Sequence, residues 1–233
     1  MATTHPELAR PGHVVLLGDS IFDNAAYVNG GPDVAAQLRR ELPPDWKCTL
    51  LALDGDVIAG VARQLHSVPR DATHLVVSVG GNDALGYAPL LQEQPSSVTE
   101  ALAILGNAQD NFAASYSAML TAVVAQGLPA AACTIYDTRP SEPGQRVIRA
   151  ALCLFNDSIT RAAFSLGAAL IDLRLICTED SDYANPIEPS AQGGRKIAQA
   201  IAALVEAGSV SQGSIVVAGG SVGTFRPSLE GLE

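Results

Sequence analysis

The chain has 233 residues, 48% of them apolar, enough to bury one sizeable core and the usual size of a single α/β domain. Its formal net charge is -10, and the basic residues cluster no further than Arg39-Arg40 and Arg195-Lys196, so neither nucleic acid nor an anionic membrane is an expected partner. Residues 1–11 contain no apolar h-region, and the run 14–17 is too short for a signal peptide or a membrane span. A cytoplasmic protein is therefore expected, with Cys48, Cys133, Cys153 and Cys177 as four buried free thiols.

In chain order, strands are predicted at residues 13–17, 47–52, 74–79, 130–135 and 169–173. They alternate with helical patterns at 33–41, 57–65, 98–126, 146–166 and 191–207. Most of the strands are apolar throughout, as expected in a parallel sheet covered on both faces. Residues 86–97, with Pro89 and Pro95, interrupt the alternation just past a strand's C-terminal end. Loops there line the ligand crevice of open α/β sheets, so the segment reads either as a substrate-side lid or as a plain connector. The domain is drawn at residues 1–208. The Gly/Ser-rich tail at 209–233 carries one apolar run, 214–218, and is either disordered or an edge strand. An edge strand shared with a neighbouring copy would make a homodimer through the tail.

Three strand ends carry polar turns. Gly18-Asp19-Ser20 follows the first strand and can present a hydroxyl together with a free backbone N–H. Gly55 follows the second strand, where the backbone can approach a ligand with no side chain in the way. Gly80-Gly81-Asn82-Asp83 follows the third as a tight turn offering the Asn82 amide. The N–H groups of Ser20 and Gly55 and the Asn82 side chain are three donors suited to one developing negative oxygen.

These motifs, with the block ending Pro189-Ser190, resemble the SGNH/GDSL hydrolase family of esterases and lipases over residues 13 to about 207. The resemblance implies a flavodoxin-like three-layer α/β/α sandwich around a five-stranded parallel sheet. It also implies Ser20 as nucleophile, Ser20, Gly55 and Asn82 as oxyanion-hole donors, and no cofactor or metal.

One block departs from the family pattern. Where the family places an aspartate and, three residues on, a histidine before the last helix, this chain has Asn185 and Glu188. His5, His13, His66 and His74 lie in the N-terminal extension, at strand starts or at a helix end, and none is placed to serve as base. Glu188 can take the serine proton if desolvation lifts its pKa, and Asn185 could donate its amide to the carboxylate. Asp182 is a weaker alternative base. The expectation is a hydrolase of small, activated carboxylic esters that uses a Ser20/Glu188 dyad oriented by Asn185. Glu188 could instead merely cap the last helix, leaving Ser20 without a base. That would make the chain an inactive binding module with a preserved crevice, whereas acyl transfer to an alcohol would share the acyl-serine step.

Overall fold

The computed structural model describes residues 11–206, 214–218 and 221–225. Five strands, β1 (His13–Gly18), β2 (Lys47–Leu50), β3 (His74–Ser78), β4 (Ala130–Cys133) and β5 (Ala169–Ile171), form an all-parallel sheet in the order β2-β1-β3-β4-β5. Every residue of β1 is buried, and alternate side chains go to opposite cores: Val14 and Leu16 to one, Val15 and Leu17 to the other. Such a strand cannot face water on either side, which is why its sequence reads apolar throughout. The chain leaves β1 toward β2 and returns past it to β3, so the direction of winding reverses between β1 and β3. A crevice opens at the strand ends beside that reversal.

Among the described residues six α-helices cover the sheet: α1 (Val34–Glu41), α2 (Val61–Leu65), α3 (Gly81–Gly86), α4 (Val98–Val124), α5 (Gln145–Ser165) and α6 (Ala191–Glu206). α1 packs on α6 against one face, and α4 packs on α5 against the other, giving three α/β/α layers. Local chemistry sets the starts: the Asp33 side chain accepts from the Ala36 N–H at α1, and Ser97 from Glu100 at α4. Phe112, Tyr116, Met119, Leu120 and Val123 recur at helical spacing on the buried side of α4.

Three features differ from the sequence-based expectation, and a fourth, the tail, resolves an open alternative. The turn read at residues 80–83 is the start of a helix, α3, whose two leading glycines hide its helical character. The helix read over 57–65 divides into a 3-10 turn at Ile58–Gly60 and α2. The tail's apolar run, left open between disorder and an added strand, is β6 (Ser214–Ala218), parallel to β5, and β7 (Ser221–Phe225) pairs antiparallel with it, so among the described residues the sheet extends to seven strands. Finally, Cys48, Cys133 and Cys177 are buried free thiols, but Cys153 is exposed on α5. Among the described residues no helix is long and apolar enough to cross a membrane.

Candidate active site

Ser20 sits on the turn that leaves β1. Gly18 makes this turn feasible: its φ is +123°, and a Cβ there would lie 1.7 Å from the Ser78 carbonyl oxygen of β3. Only a residue without a side chain lets β1 and β3 approach so closely at the switch point. Gln64 secures the same glycine, accepting from the Gly18 N–H at 2.7 Å and donating to its carbonyl at 2.8 Å. The turn is then closed by the N–H groups of Phe22 and Asp23, both bonded to the Asp19 carbonyl. Ser20 is buried, and its Oγ donates to Glu188 Oε1 at 3.1 Å.

Glu188 comes from the loop before α6, and several contacts hold that loop. The Asn24 amide donates to the Pro189 carbonyl at 3.1 Å, the Tyr136 hydroxyl to the Ile187 carbonyl at 2.7 Å, and the Ala184 N–H to the Glu188 carbonyl at 2.8 Å. Asp182, weighed as an alternative base, is fully buried and otherwise engaged. It accepts from the N–H groups of Thr178 and Glu179, from Gln192 and from the Lys196 ammonium at 2.8 Å. Asn185 takes a different part from the one expected of it. Its Oδ1 accepts from the N–H groups of Ile187 and Glu188, each at 3.0 Å, so it shapes the backbone rather than donating to the carboxylate. Two unpaired backbone donors two and three residues ahead make this local turn the stronger attraction for an asparagine.

Glu188 Oε2 is consequently buried with no hydrogen-bond partner. Burial pushes the Glu188 pKa up, the Ser20 hydrogen bond opposes this, and the nearby Asp54 charge adds to the rise. Asp19, not considered as a site residue from the sequence, is buried beside it. Its carboxyl is pushed up to about 8, chiefly by burial and further by the charges of Glu188 and Asp83, while its bond from the Ile21 N–H pulls the other way. A neutral Asp19 at pH 7 spares Glu188 a second adjacent negative charge.

The donors expected of the oxyanion hole lie on two linked loops and at the start of α3. The N–H groups of Ser20 and Gly55 make no hydrogen bond to any described residue, and Gly55 adopts a φ of +77°. Asn82 stands in the first turn of α3 and donates one amide hydrogen to the Asp56 carbonyl at 2.8 Å, which ties it to the residue next to Gly55. The Leu53 N–H in turn bonds the Gly18 carbonyl. The histidines fall elsewhere: His13 is bonded to Asp71 and Thr49, His74 stacks on Trp46, and His66 bonds the Ala62 carbonyl. His5 lies outside the described residues. A cavity of about 510 Å³ opens beside this arrangement, with Ser20, Glu188, Asp19 and Asn82 in its wall.

Of the residues around Glu188, sequence reasoning missed Asn24, Tyr136, Tyr183 and Asp19. Asn24 is four residues from Ser20 and carried a weak signal as a buried amide in a turn. Tyr136 acts from beyond the end of β4 and leaves no local mark, whereas Tyr183 lies in the Glu188 segment itself, bridged to Pro189, with its hydroxyl donating to the Asp137 and Cys177 carbonyls.

A doubly wound α/β/α sheet with a serine hydroxyl bonded to a carboxylate at its switch point has the layout of proteins that open an acyl bond with a side-chain nucleophile. The chain belongs to the GDSL-like lipase/acylhydrolase family, whose model matches residues 16–196. No protein of curated function matches the sequence. Among solved structures it is similar to phospholipase A1 from Streptomyces albidoflavus NA297, with TM-score 0.57 and 18% identity over 85% of this chain and 100% of that one. It is also similar to the psychrotrophic esterase EstA from Pseudoalteromonas sp., with TM-score 0.57 and 17% identity over 84% of this chain and 99% of that one. A third is the lipase/acylhydrolase from Enterococcus faecalis, with TM-score 0.60 and 15% identity over 84% and 96% of the respective chains. At these identities the likeness is one of fold.

Proposed function

We propose that this chain is a carboxylic-ester hydrolase that acts through an acyl-Ser20 intermediate, with the Glu188 carboxylate as its general base. The observation that carries the reading is the 3.1 Å hydrogen bond from Ser20 Oγ to Glu188 Oε1, within reach for direct proton transfer. As Oγ attacks the ester carbonyl carbon, its proton passes to Glu188. The carbonyl oxygen becomes an oxyanion that the Ser20 and Gly55 N–H groups and the second Asn82 amide hydrogen are available to stabilise. The carbon–oxygen bond to the alcohol then breaks, and Glu188 returns the proton to the departing oxygen. Water repeats the sequence on the acyl-serine, giving its proton to Glu188 and releasing the acid.

Burial supports the choice of base. An ordinary glutamate titrates near about 4.3, too low to compete well for a serine proton, and the rise caused by burial narrows that gap. The unpartnered Oε2 acts in the same direction, because no second donor stabilises the anion. Esters suit such a base, since alcohols leave more readily than amines.

Labelling with a fluorophosphonate probe, together with p-nitrophenyl acetate hydrolysis by wild type and Ser20→Ala, tests the reading. Labelling at Ser20 and turnover that Ser20→Ala abolishes are expected. Neither labelling nor turnover in the wild type would leave a binding module with an inactive crevice.

A further inference from the structure

We propose that Asp56 and Gln64 form a brace that holds the oxyanion-hole donors in register with Ser20, which makes Asp56 a positioning residue for the reaction. This deepens the hydrolase reading and rests on it.

The brace spans two strand ends. Gln64 is buried in α2, and its amide has no free hydrogen: Oε1 accepts from the Gly18 N–H at 2.7 Å, while Nε2 donates to the Gly18 carbonyl and to Asp56 Oδ2, both at 2.8 Å. One end of this side chain therefore fixes the turn that carries Ser20, and the other fixes the loop that carries Gly55. Asp56 is held through three of its groups. Its N–H donates to the Leu53 carbonyl at 3.0 Å, closing the turn that contains Gly55, and its carbonyl accepts from the Asn82 amide at 2.8 Å. Its carboxylate accepts from Gln64, from Arg63 at 2.9 Å and from the Val57 N–H at 3.2 Å. A displaced Asp56 would thus move Gly55 through the chain, Asn82 through its amide and Ser20 through Gln64 and Gly18. Neither Asp56 nor Gln64 lines the cavity, so the brace acts through the donors and not on the substrate.

Gly60 is the second sign that this carboxylate has a set place. Its φ of -70° and ψ of -25° suit any residue, yet a Cβ there would overlap the Asp56 carboxylate. The four-residue spacing of Asp56, Gly60 and Gln64 stacks them along one face of the Ile58–Gly60 turn and α2, with Gly60 leaving room for the contact between the other two. Oxyanion stabilisation depends steeply on such placement: an error of about 1 Å costs about a hundredfold, comparable to losing one donor outright.

The test uses p-nitrophenyl acetate for turnover and phenylboronic acid for binding. The boronic acid bonds its boron to Ser20 Oγ, the Oγ proton passes to Glu188, and a hydroxyl of the now anionic, tetrahedral boron takes the place of the oxyanion. Its Kd, unlike kcat, is independent of how much of a sample is folded. In Asp56→Ala, kcat should fall about thirtyfold to a hundredfold with KM within about threefold of wild type, and the boronate Kd should weaken about tenfold or more. Gly60→Ala removes no polar group, and by pushing the carboxylate aside it should also lower kcat and weaken the boronate about tenfold. In the Asp56→Ala background the same Gly60→Ala change should add less than about twofold, because no carboxylate remains to be displaced. An Asp56→Ala enzyme with kcat and boronate Kd within about threefold of wild type overturns the inference, as does a Gly60→Ala loss that multiplies in full on top of Asp56→Ala. Boronate bound by wild type and weakened by both substitutions, with no ester turned over, keeps the brace and removes the hydrolase reading. A wild type that takes neither ester nor boronate overturns both.

Discussion

With Glu188 as the proposed base, a carboxylate in place of an imidazole would change which protonation state is active and over what pH range. The base must be ionised, so activity should be lost as pH falls through the Glu188 pKa, which burial and Asp54 place above the ordinary glutamate value. The acidic limb of kcat/KM should therefore lie above about 4.3, and Glu188→His should move it toward about 6.5. A limb that stays in place when residue 188 becomes histidine would assign the proton transfer to another group. The meeting of Ser20 with Glu188 was legible in the sequence because both stand at fixed places in a motif order that specifies strand ends. The part taken by Asn185 was not. Its side chain chooses between a carboxylate and two backbone N–H groups, and only the path of the loop decides that competition.

At the scale of elements, the loop before α6 and the β1 turn need different supports. Asp182 bonds two backbone N–H groups and Lys196 under the start of α6, and Gly193 packs so close that a Cβ would lie 2.1 Å from the Asp182 carbonyl. Asp182→Ala removes a fully buried acceptor from donors that can partly turn to solvent, so it should lower unfolding free energy by about 2 kcal/mol in urea titration. It should also lower kcat more than KM, because Glu188 loses its fixed position. A loss of stability below about 0.5 kcal/mol would show that the network carries little. Gly18→Ala should cost about 3 kcal/mol or more by the same measurement, since the obstructing atom is a backbone oxygen of a buried neighbouring strand. Strands and long helices were readable because burial on both faces and 3.6-residue periodicity repeat over many residues. α3 was not, because a six-residue helix led by two glycines has neither length nor propensity to signal itself. The tail's run at 214–218 was left open between strand and disorder, and its pairing with β5 depends on a partner that sequence periodicity does not encode.

For the molecule as a whole, Asp19 links stability to pH. Burial raises its carboxyl from the ordinary 3.8 to about 8, so between those values the unfolded chain releases a proton that the folded protein retains. Stability from this group is complete below pH 3.8 and is lost as pH rises toward 8, by about 1.4 kcal/mol per pH unit. Asp19→Asn removes that dependence. Its unfolding free energy relative to wild type should grow by several kcal/mol between pH 5 and pH 9, and an unchanged difference would mean that Asp19 is ionised in the folded protein. The three-layer architecture was accessible from the alternation of strands and helices, but this buried acid was not, because its neighbours come from β1, α3 and the Glu188 loop.

The most direct test of the Ser20–Glu188 pairing is kcat/KM of Glu188→Gln against wild type on one p-nitrophenyl ester at pH 7. Glutamine keeps the size and the oxygen that accepts from Ser20 but cannot take the proton. A fall of about a hundredfold or more is predicted, the usual contribution of a positioned general base. Activity within a few-fold of wild type would contradict Glu188 as that base.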